Sequence, residues 1–174
     1  MNAGQRAEAG RVPPIAFVRG DATQPEGTGT RVIAHVCNDV GAWGAGFVLA
    51  VSKRWKAPEL HYRENSKRLQ LGAIQLFLVE PGIEVANMIA QRACTLDYLA
   101  LYECLTILAR VHQNREDVSF HMPRIGCGIA GGDWRRVEAI VYETLSKAGF
   151  PVTVYDLPPT RLVSPSAQPA SAHG

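Results

Sequence analysis

The amino-acid sequence predicts a three-layer α/β/α domain whose mixed sheet has about six strands. Strand-like and helix-like segments alternate along residues 14–157, and Val32–Cys37 is almost entirely apolar, as in a strand covered on both faces. Ile74–Val79 and Ile83–Ala90 are separated only by Glu80–Gly82, a turn signal typical of a hairpin. Alternation predicts parallel strands between two helical layers, and the hairpin adds an antiparallel strand.

The first half of the chain contains a short strand, a buried strand and two helices. Ile15–Arg19 is an apolar run that ends at Gly20-Asp21. Trp43–Trp55 places its large apolar residues on one side, which predicts an amphipathic helix. Pro58–Arg68 predicts a second helix, because proline is tolerated in a first helical turn.

The second half contains the remaining elements. Leu96–His112 has the clearest helical period of the chain, with apolar residues every three or four positions. Val118–Met122 is a predicted strand that leads into a glycine-rich segment, and Asp133–Ala148 is the helix that follows. Val152–Tyr155 is the last predicted strand.

Composition indicates one globular domain in a chain of 174 residues, 47% of them hydrophobic and 20% charged. The net charge of +2 argues against a nucleic-acid groove built on bulk positive charge, and no apolar run is long enough for a membrane span or a signal core. Cys37, Cys94, Cys104 and Cys127 lack Cys-x-x-Cys spacing, which argues against a zinc site or a disulfide framework. We therefore expect a cytoplasmic monomer without metal or cofactor.

The two ends of the chain have the composition of disordered segments. Residues 1–13 are rich in alanine, glycine and arginine, and residues 158–174 are rich in proline, serine and alanine. Neither segment has enough apolar surface to build a core. The predicted folded unit is therefore residues 14–157.

Two glycine-rich loops, each between a strand and a helix, predict a phosphate-binding site. One loop contains Gly126, Gly128, Gly131 and Gly132, and the other spans Asn38–Gly46. Glycines let backbone N–H groups approach an anion, and the first N–H groups of a helix favour negative charge. Because ligands bind at the carboxyl ends of strands in such sheets, the two loops and Gly20-Asp21 are expected to meet there.

The glycine pattern has other interpretations. Gly126-x-Gly128-x-x-Gly131 satisfies the dinucleotide-binding pattern, but that pattern belongs to the first strand–helix turn of a dehydrogenase domain, and here it precedes the last helix. A P-loop is excluded because no Gly-Lys-Ser/Thr follows. Cys127 at a helix N-terminus is a candidate nucleophile with His35 or His121 as its base, although a core role explains it equally well.

Several polar residues also have simple structural interpretations. Asp133 is most simply the N-cap of the last helix, and Asp21, Asn38 and Asp39 are ordinary turn residues. His35 lies in an apolar strand, where a hydrogen-bonded core histidine is more common than a catalyst.

Taken together, the motifs resemble the macrodomain family of ADP-ribose-binding modules, in particular the branch with the terminal ADP-ribose protein glycohydrolase and its bacterial relatives. The motifs that carry the resemblance span residues 15–157 in the family's order. They are Val18-Arg19-Gly20-Asp21, Ile33-Ala34-His35-Val36-Cys37-Asn38, Gly44-Ala45-Gly46, Met122-Pro123-Arg124-Ile125-Gly126-Cys127-Gly128 and Val152-Thr153-Val154-Tyr155.

The resemblance implies a role for each loop. Asp21 would accept a hydrogen bond from the adenine amino group, with the N–H of Ala22 beside it. Tyr155, with Asp156 and Leu157, would close over the adenine. The residues of the diphosphate loop would be Ile125, Gly126, Cys127, Gly128 and Ile129, and those around the distal ribose would be Asn38, Gly44, Ala45 and Gly46.

Two departures from that branch affect the mechanism. The lysine that attacks the distal ribose in the glycohydrolases corresponds to Ala90 in an ungapped placement, and the aspartate that assists release corresponds to Ala130. Neither alanine is a nucleophile, acid or base, so the lysine mechanism is excluded on that placement. Water attack oriented by Asn38 and the substrate phosphate, with Asp39 or Asp133 as base, stays available.

The expected function is therefore binding of ADP-ribose or an ADP-ribosylated protein, with hydrolysis of the ester between ADP-ribose and an acidic side chain. A non-catalytic reader of ADP-ribosylated proteins or free ADP-ribose is the alternative. A deacetylase of O-acetyl-ADP-ribose is a second alternative that would use the same pocket.

Overall fold

The computed structural model describes residues 12–157, and these residues form the predicted mixed sheet between two helical layers. The strands are β1 (Ile15–Arg19), β2 (Thr30–Asn38), β3 (Ile74–Glu80), β4 (Ile83–Arg92), β5 (Thr95–Leu96), β6 (Val118–Pro123) and β7 (Val152–Asp156). The helices are α1 (Phe47–Arg54), α2 (Ala57–Glu64), α3 (Tyr98–His112) and α4 (Trp134–Val141). Of the segments predicted to be disordered, 1–13 and 158–174, residues 1–11 and 158–174 lie outside the described residues. No described helix is long and apolar enough to cross a membrane.

The sheet order is β1-β7-β6-β2-β4-β3, and β5 pairs with β4 outside this path. Neighbours from β1 to β4 are parallel, whereas β3 and β5 each run antiparallel to β4. The predicted hairpin is thus confirmed, with Gly82 at a φ of 73° in its turn. The carboxyl ends of five parallel strands lie along one edge of the sheet.

Alternate residues of the central strands enter two separate cores. On β2, Val32 and Ala34 pack with α3 and α4, while Ile33 and Cys37 pack against α1 and α2. Because each central strand is covered on both faces, its sequence is a nearly continuous run of apolar residues.

All four helices differ from their predicted bounds. The first begins at Phe47 and not at Trp43, because Trp43 is buried with its Nε1–H 2.6 Å from the Ser52 hydroxyl and Gly46 has a φ of 82°. The second ends at Glu64, where the Asn65 side chain donates to the His61 carbonyl, and a separate 3₁₀ turn follows at Ser66–Arg68.

The third helix begins at Tyr98, since Asp97 is its N-cap and accepts from the Ala100 N–H at 3.0 Å. Leu96, predicted as its first residue, instead belongs to the short strand β5. The last helix runs from Trp134 to Val141 and continues as a π turn over Tyr142–Ser146. Asp133 is its N-cap, as predicted: its carboxylate accepts from the Arg135 N–H at 2.9 Å.

A buried polar cluster connects the amino ends of β2 and β4 to α3 and the turn that follows it. The Glu84 carboxylate lies 3.0 Å from Nε2 of His112 and 2.7 Å from the Arg115 guanidinium, which also donates to Thr30. Nδ1 of His112 donates to the Leu108 carbonyl at 2.8 Å. Burial raises the pKa of Glu84, but the hydrogen bonds and charges of His112 and Arg115 outweigh it and leave the pKa below its ordinary value.

We expect this cluster to stabilise the fold only while Glu84 is ionised. Because the folded-state pKa of Glu84 is lowered, its contribution is present above about pH 4.3, the usual pKa of an unfolded glutamate, and is lost as the pH falls through the folded value. Denaturant unfolding should find Glu84→Gln less stable than the wild type at pH 6, with a smaller difference at pH 3. An equal difference at both pH values would contradict this role.

Candidate functional site

The loops after β1, β2 and β6 meet at the carboxyl edge of the sheet, as the sequence predicts. At the β1 end of this edge lies a cavity of about 450 Å³. Its lining is mostly polar and comes from β1, the segment after it and β7: Val18, Arg19, Gly20, Asp21, Gln24, Glu26 and Tyr155.

Asp21 is held in place by its own turn. Its Oδ1 accepts from the N–H and the hydroxyl of Thr23, both at 2.9 Å, and its carbonyl accepts from Gln24 N–H. No described residue donates to its Oδ2, which therefore keeps its capacity to accept a hydrogen bond. Ala22 beside it is buried.

Tyr155 forms the floor of the same cavity. Its ring lies against Gly20, where a Cβ would stand 3.4 Å from the ring, and its hydroxyl is 2.9 Å from Nδ1 of His121. Nε2 of His121 faces the Ser119 hydroxyl at 2.9 Å, and burial, helped by the charge of Arg31, lowers the pKa of His121 to about 4. His121 is thus a neutral support for Tyr155.

Asn38 organises the loop that follows β2. Its Oδ1 accepts from the N–H groups of Val40 and Ala42 at 3.1 and 2.9 Å, and its Nδ2 donates to the Ala42 carbonyl at 2.6 Å. Among the described residues, the second Nδ2 hydrogen has no acceptor. The amide therefore holds the loop and keeps one donor free.

The segment from this loop into α1 presents unused N–H groups. Within residues 12–157, those of Gly44, Ala45, Gly46, Phe47 and Val48 have no hydrogen-bond acceptor. The helix has no side-chain cap and no acidic residue in its first turn. An uncapped helix N-terminus attracts an anion through its free donors and its dipole.

The second glycine loop is shaped by close packing against β5. A Cβ at Gly126, whose φ is 69°, would lie 2.7 Å from the Leu96 side chain, and one at Gly132 would lie 2.5 Å from it. The loop closes on itself through the Gly132 N–H, which donates to the Gly126 carbonyl at 2.8 Å. Only glycine fits these two positions without displacing Leu96.

This loop also keeps free donors. In the described part of the chain the N–H groups of Gly126, Gly128, Ile129 and Ala130 have no acceptor. The two loops face each other across the edge, since a Cβ at Gly46 would be 3.7 Å from Cδ1 of Ile129. Together they form a cleft rich in N–H donors.

The two candidate carboxylates each have a structural role. Oδ1 of Asp39 accepts from the N–H of Ala93 at 2.8 Å, which supports a turn where Ala93 has a φ of 51°. Asp133 caps α4 through Oδ1, and its own N–H donates to the Tyr98 hydroxyl at 2.8 Å. No described residue donates to Oδ2 of either aspartate.

The contacts of Cys127 contradict the nucleophile hypothesis. Its thiol donates to the Ile125 carbonyl at 3.4 Å, and burial raises the pKa of this thiol despite the opposing charge of Arg124. Neither proposed base contacts it, because His35 bonds to Asn87 and His121 bonds to Tyr155. His35 is the satisfied core histidine that the sequence indicates, with its pKa lowered to about 4 by burial.

The two alanines that correspond to the lysine and the aspartate of the glycohydrolases are buried. Ala90 is fully buried in β4, and Ala130 is 6% exposed. None of the four lysines of the sequence is at position 90. Lys53 lies in α1, Lys56 directly before α2, Lys67 in the 3₁₀ turn and Lys147 directly after the π turn. No group of three potential metal ligands occurs within residues 12–157.

Sequence reasoning missed three contributors to the site. Leu96 shapes the glycine loop, and Tyr62 contacts Asn38 through its hydroxyl. Arg124 forms a two-point ion pair with Asp156, at 2.6 and 2.9 Å, and its guanidinium lies 4.9 Å from the Trp134 ring centroid. An aspartate N-cap at position 97 was an available signal against helix at Leu96, whereas the Tyr62 contact spans 24 residues and leaves no local signal.

Comparison with solved structures identifies the family. The chain is 47% identical to a macrodomain protein from Streptomyces coelicolor, over 82% of this chain and 99% of that one, with a TM-score of 0.75. This chain belongs to the macrodomain family. The TM-score shows that this macrodomain shares its overall fold with the Streptomyces protein. A Bacteroides thetaiotaomicron protein of unknown function is 45% identical, over 84% of this chain and all of that one, with a TM-score of 0.81.

Curated relatives are more distant from this macrodomain. It is 30% identical over 175 residues to the mouse chromodomain-helicase-DNA-binding protein 1-like, with 91% of this chain and 19% of that protein aligned. The chain thus spans about a fifth of the length of this relative. It is 22% identical to an ADP-ribose 1''-phosphate phosphatase of Saccharomyces cerevisiae, over 82% of this chain and 98% of that protein. No family model matches the chain.

Proposed function

We propose that this macrodomain binds ADP-ribose and removes mono-ADP-ribose from modified proteins by hydrolysing its ester to an acidic side chain. The observation that carries the binding proposal is the cleft between residues 44–48 and 126–130, where nine N–H groups of the described chain have no acceptor. A diphosphate is the anion whose two charged groups fit donors on both sides. The relative named for ADP-ribose 1''-phosphate supports the same ligand class.

The adenosine end of the ligand is assigned to the cavity beside β1. Asp21 keeps Oδ2 available to accept from an amino group, and Tyr155 offers an aromatic floor that is already anchored to His121. The distal ribose would then reach Asn38 and Gly44–Gly46 at the other end of the cleft. This order follows the sheet from β1 toward β2.

Hydrolysis requires a water aligned with the anomeric carbon and a base for its proton. Asn38 supplies a fixed amide with one free hydrogen, and the substrate phosphate supplies oxygens near the reacting carbon. Asp39 is the preferred base, because it follows Asn38 directly and its Oδ2 has no donor among the described residues. Asp133 is the second candidate, at the α4 end of the cleft.

The direct test is incubation with a protein ADP-ribosylated on glutamate, with free ADP-ribose measured over time. We expect release well above the buffer control. Binding of ADP-ribose by calorimetry without any release would sink the hydrolase proposal and favour a reader, a role consistent with the buried alanines at 90 and 130. O-acetyl-ADP-ribose serves as the parallel substrate that tests the deacetylase.

Two substitutions at Asp39 separate a base from a structural residue. Asp39→Asn keeps an oxygen that accepts from the Ala93 N–H but removes the base, so we expect its release rate to fall about 100-fold or more while ADP-ribose affinity stays within about twofold. Asp39→Ala also removes the support of the turn and should weaken binding. Wild-type release by Asp39→Asn would eliminate this base, and Asp133→Asn would then be the decisive variant.

A further inference from the structure

Tyr62 is buried below the loop that carries Asn38. It lies on α2, its side chain is inaccessible to solvent, and its ring packs against Trp43 with a centroid distance of 5.1 Å. Its hydroxyl is 2.7 Å from the Asn38 carbonyl oxygen and 2.8 Å from Asn38 Oδ1. The Ala42 carbonyl is a third oxygen, at 3.5 Å.

The surroundings of this hydroxyl determine its role as a donor. All three neighbouring oxygens are acceptors, so the hydroxyl proton points at the Asn38 end of the loop. Burial raises the pKa of Tyr62 well above its ordinary value, and the phenol therefore stays protonated.

The amide of Asn38 has one orientation in this setting. Its Oδ1 faces the donors of Val40, Ala42 and Tyr62, and exchange of the two amide atoms would put Nδ2 against two N–H groups. One Nδ2 hydrogen is used by the Ala42 carbonyl. The direction of the other is therefore a consequence of the hydrogen bonds made to Oδ1.

We propose that Tyr62 is a positioning residue that aims the free Nδ2–H of Asn38 at the distal ribose of the ligand. The inference rests on the proposed function, since it needs ADP-ribose in the cleft. Tyr62 itself does not contact the ligand, because its side chain is fully buried under the loop. Its effect should therefore be confined to ligands that have the distal ribose.

The test compares ADP-ribose with ADP, which lacks the distal ribose, by titration calorimetry on Tyr62→Phe. The phenylalanine ring retains the packing against Trp43 and removes only the hydroxyl. We expect affinity for ADP-ribose to fall about tenfold, the size of one lost hydrogen bond, and affinity for ADP to stay within about twofold. Tyr102→Phe is the matched control, since Tyr102 is half-exposed on α3, and neither affinity should change.

Two further measurements test whether Tyr62 acts through Asn38. In an Asn38→Ala background, Tyr62→Phe should have no additional effect on ADP-ribose affinity. Amide exchange at Val40 and Ala42 should be faster in Tyr62→Phe, whatever its thermal stability.

Each failure has a separate meaning. Unchanged ADP-ribose affinity in Tyr62→Phe, an equal loss for ADP, or a full effect in the Asn38→Ala background would overturn the inference while the proposed function stands. A wild-type protein that does not bind ADP-ribose would overturn both.

Discussion

Gly128→Val is expected to weaken ADP-ribose binding about 100-fold or more while the protein stays folded. Gly128 has an ordinary φ, and a Cβ there meets nothing within 4 Å, so a valine is accommodated by the fold but stands beside the free N–H groups of the loop. A 100-fold loss corresponds to about 2.7 kcal/mol. Calorimetry measures the affinity, and thermal unfolding checks that the midpoint is retained.

Substitution of nearby Gly126 is expected to affect stability as well as affinity, unlike substitution of Gly128. Gly126→Ala adds a Cβ at a φ of 69° and 2.7 Å from Leu96, so it should lower both stability and affinity. Gly128→Ala should fall between the wild type and Gly128→Val in affinity alone. If Gly128→Val binds ADP-ribose like the wild type, the diphosphate does not lie on this loop.

Asn87→Leu is expected to lower the free energy of unfolding by about 3 kcal/mol, the cost of leaving buried polar groups without partners. Asn87 is completely buried on β4, and its Oδ1 accepts from Nε2 of His35 at 2.8 Å. Its Nδ2 donates to the Pro58 carbonyl at 3.1 Å and to Gln75 at 3.2 Å. A leucine of similar size removes all of these hydrogen bonds. The polar groups of β2, β3 and α2 that bonded to Asn87 are then left without this partner.

Denaturant unfolding of Asn87→Leu measures this loss, and Asn114→Leu is the control. Asn114 is exposed in the turn after α3, where a surface substitution changes stability by no more than about 0.5 kcal/mol. Similar stability of the two variants would show that the bonds of Asn87 contribute little.

The elements that the sequence predicts well are those with strong local signals. β1 has its predicted bounds, the β3–β4 hairpin is confirmed, and the aspartate at 133 caps α4. The helix start at Trp43 was wrong, because burial of that tryptophan under α1 outweighs the local apolar pattern.

The candidate site also contains residues with a local sequence signal and residues without one. The sequence indicated the glycines, Asp21 and Asn38 as candidate site residues, because glycine and polar turn residues at strand ends have a chemical meaning of their own, and their role toward a ligand stays a prediction. The nucleophile hypothesis for Cys127 was wrong, since the thiol bonds within its own loop and no histidine reaches it. The alanines at 90 and 130, predicted departures from the glycohydrolase pattern, are both buried.

The sequence by itself determined the α/β architecture, the family and the loops that form the cleft, because periodicity and glycine placement are encoded within about ten neighbouring residues. Only the tertiary structure decided how those loops are held. Tyr62 meets Asn38 across 24 residues, Asp39 meets Ala93 across 54, and Leu96 packs under Gly126. Such contacts depend on which strands become neighbours in the sheet, and no local pattern contains that information.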